Sequence, residues 1–446
     1  MRRLLTRARG LALLVLALPA GRAAAQNADG ILLGMDAATT AGAVIATAGE
    51  AAAAFYNPAG LAALEGPSVQ VSASAYTVSA MRLGHFVDTR LPWTTTEQSV
   101  RTTSLYTVPA VAAYGFRLRP GLGVAAGVWV PSHEVVAVTA DLQSEGPFSP
   151  GGSVTRASYE QHLSFTEKLD RTYFGVAAGL ALGARVRVGL SGFVTYDSTE
   201  AFVSVAAVAR TDSSVPGESG AAFSVTSSGA PAQLAARFGG GVQWDAAPWL
   251  TLALAVKTPS LVFSRSGNVS TTSELSVLLP GSPPTIVFVH DAGAPLRLTE
   301  PWRLSAGGAA VVGAWSLRAE ADWQAEVSGQ AGVGNARVGA LHDGGHVRWG
   351  AGLFTDRSRE VASSGALKVD YYGATAGVAY RPGPVRAARA RGGAWDLWTS
   401  LALRYAYGDG QARGVAIAPL GGEVAVPTAK VRVDVLTVTL GGIVQF

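Results

Sequence analysis

The 446-residue chain contains no cysteine. That excludes a disulfide scaffold and a thiolate metal site, though not an oxidising compartment. Beyond the first two dozen residues there is no uninterrupted run of about 18 apolar residues, so no helical membrane span is encoded. An excess of positive charge is missing too. The formal charge is +4, from 35 basic and 31 acidic residues. Five of the basic ones, Arg2, Arg3, Arg7, Arg9 and Arg22, lie in the first 25 residues, which hold no acid. The remainder therefore carries 30 basic against 31 acidic groups. The pI near 9.4 belongs mostly to the leading segment, and a nucleic-acid partner loses its main support. There is no G-x-S-x-G, and Gly239-Gly240-Gly241 is not followed by Lys-Ser/Thr. A nucleophile elbow and a phosphate loop are both unsupported.

The leading segment reads as an address. A basic stretch precedes a short apolar run, Leu11 to Ala20, and Ala23-Ala24-Ala25 precedes Gln26. This is the layout of a secretory signal, with cleavage expected after Ala25 (residues 1–25).

What the chain has in quantity is apolar residues (48%) and glycine (54 residues). An exported chain this hydrophobic, without a helical span, needs another way to hide its apolar surface. Alternating strands closed into a barrel do so, because closure satisfies every backbone polar group in lipid. Trp315, Leu317, Ala319, Ala321 and Trp323 alternate with Ser316, Arg318, Glu320 and Asp322. One face is apolar and the other carries three charges. Eight steps of ~3.3 Å, tilted ~40°, separate the two Trp rings by roughly 20 Å along the membrane normal, near the height of an apolar belt between aromatic girdles. The same grammar recurs at Tyr372–Tyr380, Leu250–Val256, Val347–Leu353 and Leu401–Tyr407. At the C-terminus Leu436, Val438, Leu440, Gly442, Val444 and Phe446 share one face. An aromatic last residue on an alternating strand resembles the signature by which the barrel-assembly machinery recognises bacterial outer-membrane barrels.

The pattern predicts an all-β, antiparallel transmembrane barrel of about 14 strands over residues 69–446. The strands are expected near 69–80, 105–118, 122–135, 171–183, 186–201, 234–246, 249–265, 302–313, 315–327, 335–342, 346–356, 370–381, 397–408 and 431–446. Short links such as Arg119-Pro120-Gly121 and Gly183-Ala184-Arg185 then alternate with long ones near 81–104, 136–170, 211–233, 266–301, 357–369 and 409–430. Short periplasmic turns and long external loops fit this class. The links at 328–334 and 382–396 depart from it, and an even strand count puts both chain ends on the periplasmic side.

Residues 26–68 do not alternate and are rich in Ala, Gly and Thr. A barrel of this size has a lumen that must be filled or conduct water. The segment is therefore expected inside, as a plug. It ends in Phe55-Tyr56-Asn57-Pro58-Ala59-Gly60-Leu61 just ahead of the first strand. This element in this position resembles the FadL family of outer-membrane transporters for long-chain fatty acids and aromatic hydrocarbons. Gly123 to Pro131, Lys257-Thr258-Pro259 and Ala321-Asp322-Trp323 are further echoes. The resemblance covers nearly the whole mature chain. It implies a fourteen-stranded barrel with an N-terminal hatch containing Asn57, Pro58 and Ala59. It further implies capture of a hydrophobic compound outside, hatch movement, and lateral release at a kink in the third strand. Pro131, which donates no ladder hydrogen bond, and Gly127, which permits a bend, are the candidates there. Ordinary strand-edge irregularity is the competing reading of both.

Independently of the resemblance, Arg318, Glu320 and Asp322 should line the lumen, with Arg303, Arg348 and Arg404 on nearby strands. Buried charges need partners, so a network stapling hatch to wall is one reading and a carboxylate-binding arginine another. His342-Asp343-Gly344-Gly345-His346 has a metal-like spacing, but two glycines in a short turn oppose the helix that such a motif needs. Arg386, Arg389 and Arg391 form a basic run in a periplasmic link. His85, His133, His162 and His290 are expected in or beside external loops. The function expected is uptake of hydrophobic compounds, long-chain fatty acids first, by a monomeric channel without cofactor or metal. A general aqueous porin and an outer-membrane lipid hydrolase are the alternatives.

Overall fold

The computed structural model describes residues 30–148, 155–212, 219–278, 285–292, 299–327, 330–361, 367–382, 385–386, 394–417 and 426–446. Alternation along the chain becomes fourteen barrel strands. These are β1 Ser68–Leu91, β2 Thr94–Arg119, β3 Leu122–Phe148, β4 Thr155–Leu182, β5 Val186–Asp212, β6 Ala232–Ala247 and β7 Leu250–Lys257. They continue as β8 Arg303–Val312, β9 Trp315–Gln324, β10 Val333–Asp343, β11 Val347–Asp356, β12 Lys368–Tyr380, β13 Ala394–Arg413 and β14 Thr428–Gln445. Each pairs antiparallel with the next, and β14 closes on β1 from Ser68↔Gln445 to Gly84↔Lys430.

Side-chain facing follows the sequence parity. Trp315, Leu317, Ala319, Ala321 and Trp323 point out, while Arg318, Glu320 and Asp322 are buried inside. Outward aliphatics such as Leu190, Leu254, Leu353 and Leu440 form a belt around the barrel. Trp244, Trp249, Trp349 and Tyr380 flank it at the turn end; Trp302, Trp323, Tyr372 and Tyr407 flank it at the other. A closed barrel with this girdled belt is the architecture of the bacterial outer membrane. The short turns hold the glycines at positive φ: Gly121, Gly183, Gly313 and Gly345.

The structure departs from the sequence reading beyond the membrane. Strands β1 to β5 are 24 to 28 residues long. Much of 81–104 and 136–170 is hairpin, not loop. Further strands, Ser219–Gly229, Leu261–Ser266, Val269–Leu278 and Thr285–Ala292, extend β6 to β8 outward. β4 shows the reason. Its even positions face out along its whole length. From Phe174 to Leu182 they are mostly apolar, but from Glu160 to Asp170 they are all polar. Polarity inverts where lipid gives way to water, so a search for greasy outward faces stops at that border. Inside the extension Met81, Leu83, Val138, Leu163, Val205 and Val431 pack into an apolar core. His85, His133, His162 and His290 accordingly sit on these extended strands.

The segment before β1 folds as α1 Met35–Thr39, α2 Ala53–Tyr56 and a 3₁₀ turn Pro58–Ala63. Most of residues 31–62 are buried, within the lumen. Asn57 caps the 3₁₀ turn by accepting from the Ala59 N–H, and Pro58 takes the first position, where no donor is needed.

Candidate functional site

The lumenal segment is seated by backbone, not by bulky side chains. Gly123, Gly179, Gly189 and Gly241 are successive cross-strand partners on β3 to β6. They form a row without side chains on the inner wall. A Cβ on Gly123 would collide with the Leu61 carbonyl, on Gly179 it would lie 2.5 Å from the Pro58 carbonyl, and on Gly241 it would collide with the Asn57 amide. Across the lumen Gly339 and Gly352, also partners, meet Thr40 in the same way. Asn57, wholly buried, donates from Nδ2 to the carbonyls of Ile45 (2.9 Å) and Val242 (3.2 Å). It thereby ties two turns of the segment to β6. Gln243 donates to Ile45 and Ala48, and Gln70 accepts from the Ala52 N–H at 2.8 Å. Thr375 accepts from Ala41 and donates to Thr39. These neutral wall residues were not singled out in the sequence. Their signal was polarity at an inward parity position.

Charge adds the second fastening. Glu320 accepts from the N–H groups of Val44 and Ile45 at 3.1 and 3.2 Å and pairs with Arg337 at 3.0 Å. Asp322 lies between Arg337 (3.0 Å) and Arg303 (3.2 Å), and Arg318 pairs with Asp36 of α1 at 2.9 Å. Three of the six charged residues named from sequence, Arg303, Glu320 and Asp322, thus meet through Arg337, the member that was missed, while Arg318 fastens α1 separately. Arg348 lies apart, on Asp343 and over the Trp398 ring. Arg404 lies over the Phe354 ring on the outer side of the segment. Above α2 the Phe55 ring packs edge-on against Tyr173 and carries the Lys257 ammonium on its face, 3.3 Å from the centroid.

The wall is split between β2 and β3. β2 and β3 pair only from Arg119↔Leu122 to Val111↔Trp129. Beyond that, β2 pairs with β1 and β3 with β4, and among the described residues no ladder joins them. Pro131 sits at the start of the split, where the β3–β4 register shifts between Trp129 and Ser132. Pro109 stands on the opposing strand beside a second shift. Gly127 lies two residues inside the remaining ladder, where its missing Cβ lets β2 approach. The Tyr106 and His133 rings meet across the split, 4.9 Å apart, and His133 pairs with Asp170. Farther out, Gln98 donates to the Asp141 carbonyl and Trp93 to Ser144. A narrow recess with about 60 Å³ of free space opens behind the split. Met81, Val136, Leu367 and Val435 line it, together with Glu134, Asp356, Arg404 and, from the lumenal segment, Gly30 and Ile31.

No family model and no curated protein matches the sequence. Solved structures do match the fold. A Pseudomonas aeruginosa FadL homologue superposes over 94% of this chain and all of its own, with TM-score 0.55 at 12% identity. The P. putida toluene transporter TodX covers 89% of this chain and 94% of its own (TM-score 0.51, 12% identity). The monoaromatic hydrocarbon channel CymD covers 93% and 97% (0.50, 10%). The chain has the FadL fold. The likeness extends over the barrel and not merely a few strands.

Within this FadL-type barrel the remaining sequence candidates are accounted for separately. His342 stacks on Trp349, and His346 faces the Arg381 carbonyl, so the two imidazoles do not converge. Arg386 lies on a two-residue strand, and Arg389 and Arg391 fall outside the described residues. Phe446 faces outward and its N–H donates to the Pro67 carbonyl.

Proposed function

We propose that the protein is an outer-membrane channel for uptake of small hydrophobic compounds. Residues 26–68 serve as the hatch, 69–446 as the barrel, and 1–25 as the cleaved export signal. The compound is captured on the outer side, passes through the recess as the hatch shifts and widens it, and leaves sideways through the β2–β3 split. The observation that carries this reading is the split itself. It begins at Pro131, directly in front of the recess. Leu105, six residues beyond the last β2–β3 pair, is outward and apolar. The lower part of the slit therefore meets acyl chains. A lumen filled by the buried segment argues against a general aqueous porin, and the transport channels of the same fold argue against an enzyme. The chain functions as a monomer, and its last strand ending in Phe446 is the handle for the assembly machinery.

The recess favours a neutral substrate over a long-chain fatty acid. Its lining carries two carboxylates, Glu134 and Asp356, against one arginine, Arg404, and His133, which is already paired with Asp170. A third carboxylate would meet net repulsion in a desolvated space. The fatty-acid reading rests on Arg404 alone. Proteoliposome uptake of a labelled monoaromatic hydrocarbon and of a labelled long-chain fatty acid, each with wild type and Arg404→Gln, separates the two. Hydrocarbon uptake insensitive to Arg404→Gln is expected. Fatty-acid uptake abolished by it would reverse the assignment. Large, steady single-channel currents from the wild type would replace uptake by this route with an open pore.

A further inference from the structure

The outward surface of the same barrel carries a groove that the transport reading does not use. Leu180, Leu190, Leu254 and Val256 form its sides, and Ala178 and Gly240 its floor. It crosses β3 to β7, roughly 19 Å at ~4.8 Å per strand. It offers about 560 Å³ of free space, and its lining is almost wholly apolar. The groove exists because small residues stand at outward positions where neighbouring strands carry leucine.

At the turn end of this groove lie basic residues. Arg119 precedes the β2–β3 turn and Arg185 ends the β4–β5 turn; both are exposed. The β2–β3 turn is tied to the end of β4, just before the β4–β5 turn, by a hydrogen bond from the Ala181 N–H to the Gly121 carbonyl at 2.7 Å. Arg117 and Arg187 belong to the same end, and no acid occurs from residue 102 to 133 or from 171 to 196. The acids facing this end are Asp245, held by Arg187 at 2.7 Å, and Glu65, ahead of β1. Trp244 and Trp249, outward and half-exposed, mark the interface level here. An apolar trough at acyl-chain depth beneath exposed arginines at headgroup depth matches one chemistry, an anionic phospholipid.

We propose that this face binds one anionic phospholipid. An acyl chain lies over Ala178 and Gly240, and the phosphate lies against Arg119 and Arg185. The site shares its backbone with the hatch seat, since Gly179, Gly189 and Gly241 belong to both surfaces. The proposal stands whatever the channel carries.

The test is native mass spectrometry of the detergent-extracted mature protein with added phosphatidylglycerol or phosphatidylcholine. Phosphatidylglycerol adducts should survive activation at several-fold higher occupancy than phosphatidylcholine. They should fall to the phosphatidylcholine level in Arg119→Gln/Arg185→Gln. Gly240→Leu should remove them without touching a charge. A Cβ at Gly240 lies 3.5 Å from Leu190 and 3.7 Å from Val256, so the larger side chain fills the groove and leaves the backbone in place. Heat-modifiable migration verifies that each variant is folded. Equal adducts of both lipids, or adducts that persist in folded Gly240→Leu, overturn the proposal. A protein dimer that Gly240→Leu abolishes would assign the groove to a second copy instead.

Discussion

The backbone N–H of Ile31 donates to the carbonyl of Pro131 at 3.0 Å. The lumenal segment thus bonds to β3 at the point where its ladder with β2 has ended. In a strand a residue's N–H and C=O point the same way, so the donor that Pro131 lacks is missing from this same edge. Pro131→Ala restores it. A backbone hydrogen bond made by that donor across the slit contributes ~0.5–1.5 kcal/mol, which lowers the open fraction of the slit roughly two- to tenfold. The initial rate of hydrocarbon uptake into proteoliposomes should drop by that factor, with the barrel equally resistant to heat. An unchanged rate would separate the proline from the exit.

The proposed movement of the lumenal segment can be tested by stopping it covalently. A Cβ on Gly115 of β2 would lie 3.5 Å from the Ala51 Cβ, at the short end of the ~3.5–4.5 Å range of disulfides. The chain has no cysteine of its own to interfere. Ala51→Cys/Gly115→Cys, oxidised, should lose uptake on the order of tenfold and regain it with dithiothreitol, as expected when a gating motion is blocked. Full activity in the oxidised form would mean that substrate passes without displacing this part of the segment.

How far the sequence carries can be judged from particular residues. Trp315–Trp323 displays its facing by parity alone, because lipid outside and charge inside leave one solution. Glu320 and Asp322 were legible for the same reason, and the fourteen strands appear in the expected order. The extensions of β3 and β4 were not legible as strands. Water outside and an apolar core inside, as at Leu163 against His162, reverse the polarity that marks a lipid-facing strand. Gly189 and Gly241 were unreadable for another reason. A glycine that makes room for Pro58 or Asn57 shows its purpose only when two segments distant in sequence are brought together. Pro131 could be suspected, whereas Pro109 became meaningful only beside the gap.

The glycine row yields a paired test. A Cβ on Gly189 would collide with Pro58 and Ala59, whereas one on Gly240, on the opposite face of the same wall, meets only ordinary contacts. Gly189→Ala should leave the barrel folded but unseat the Pro58–Ala63 turn, raising ion conductance in planar bilayers above that of the wild type. Gly240→Ala should behave as wild type. Conductance raised in both, or in neither, would show that the row does not hold the segment.

Facing can be tested most directly on β9. Ala319 lies outward, midway between Trp315 and Trp323, so a lysine there would sit near the bilayer centre at a cost of ~2–4 kcal/mol. Ala319→Lys should reduce the folded fraction in lipid refolding. Gly350 faces inward, but a Cβ there would lie 2.5 Å from the Ala340 carbonyl and 3.0 Å from Thr39 of α1. Gly350→Asp should therefore insert normally and fail differently, by loosening the hatch and admitting ions. The two variants separate insertion from gating. A shared insertion defect would show that the lumen-facing position is no better tolerated than the lipid-facing one, and would contradict the facing of β9 and β11.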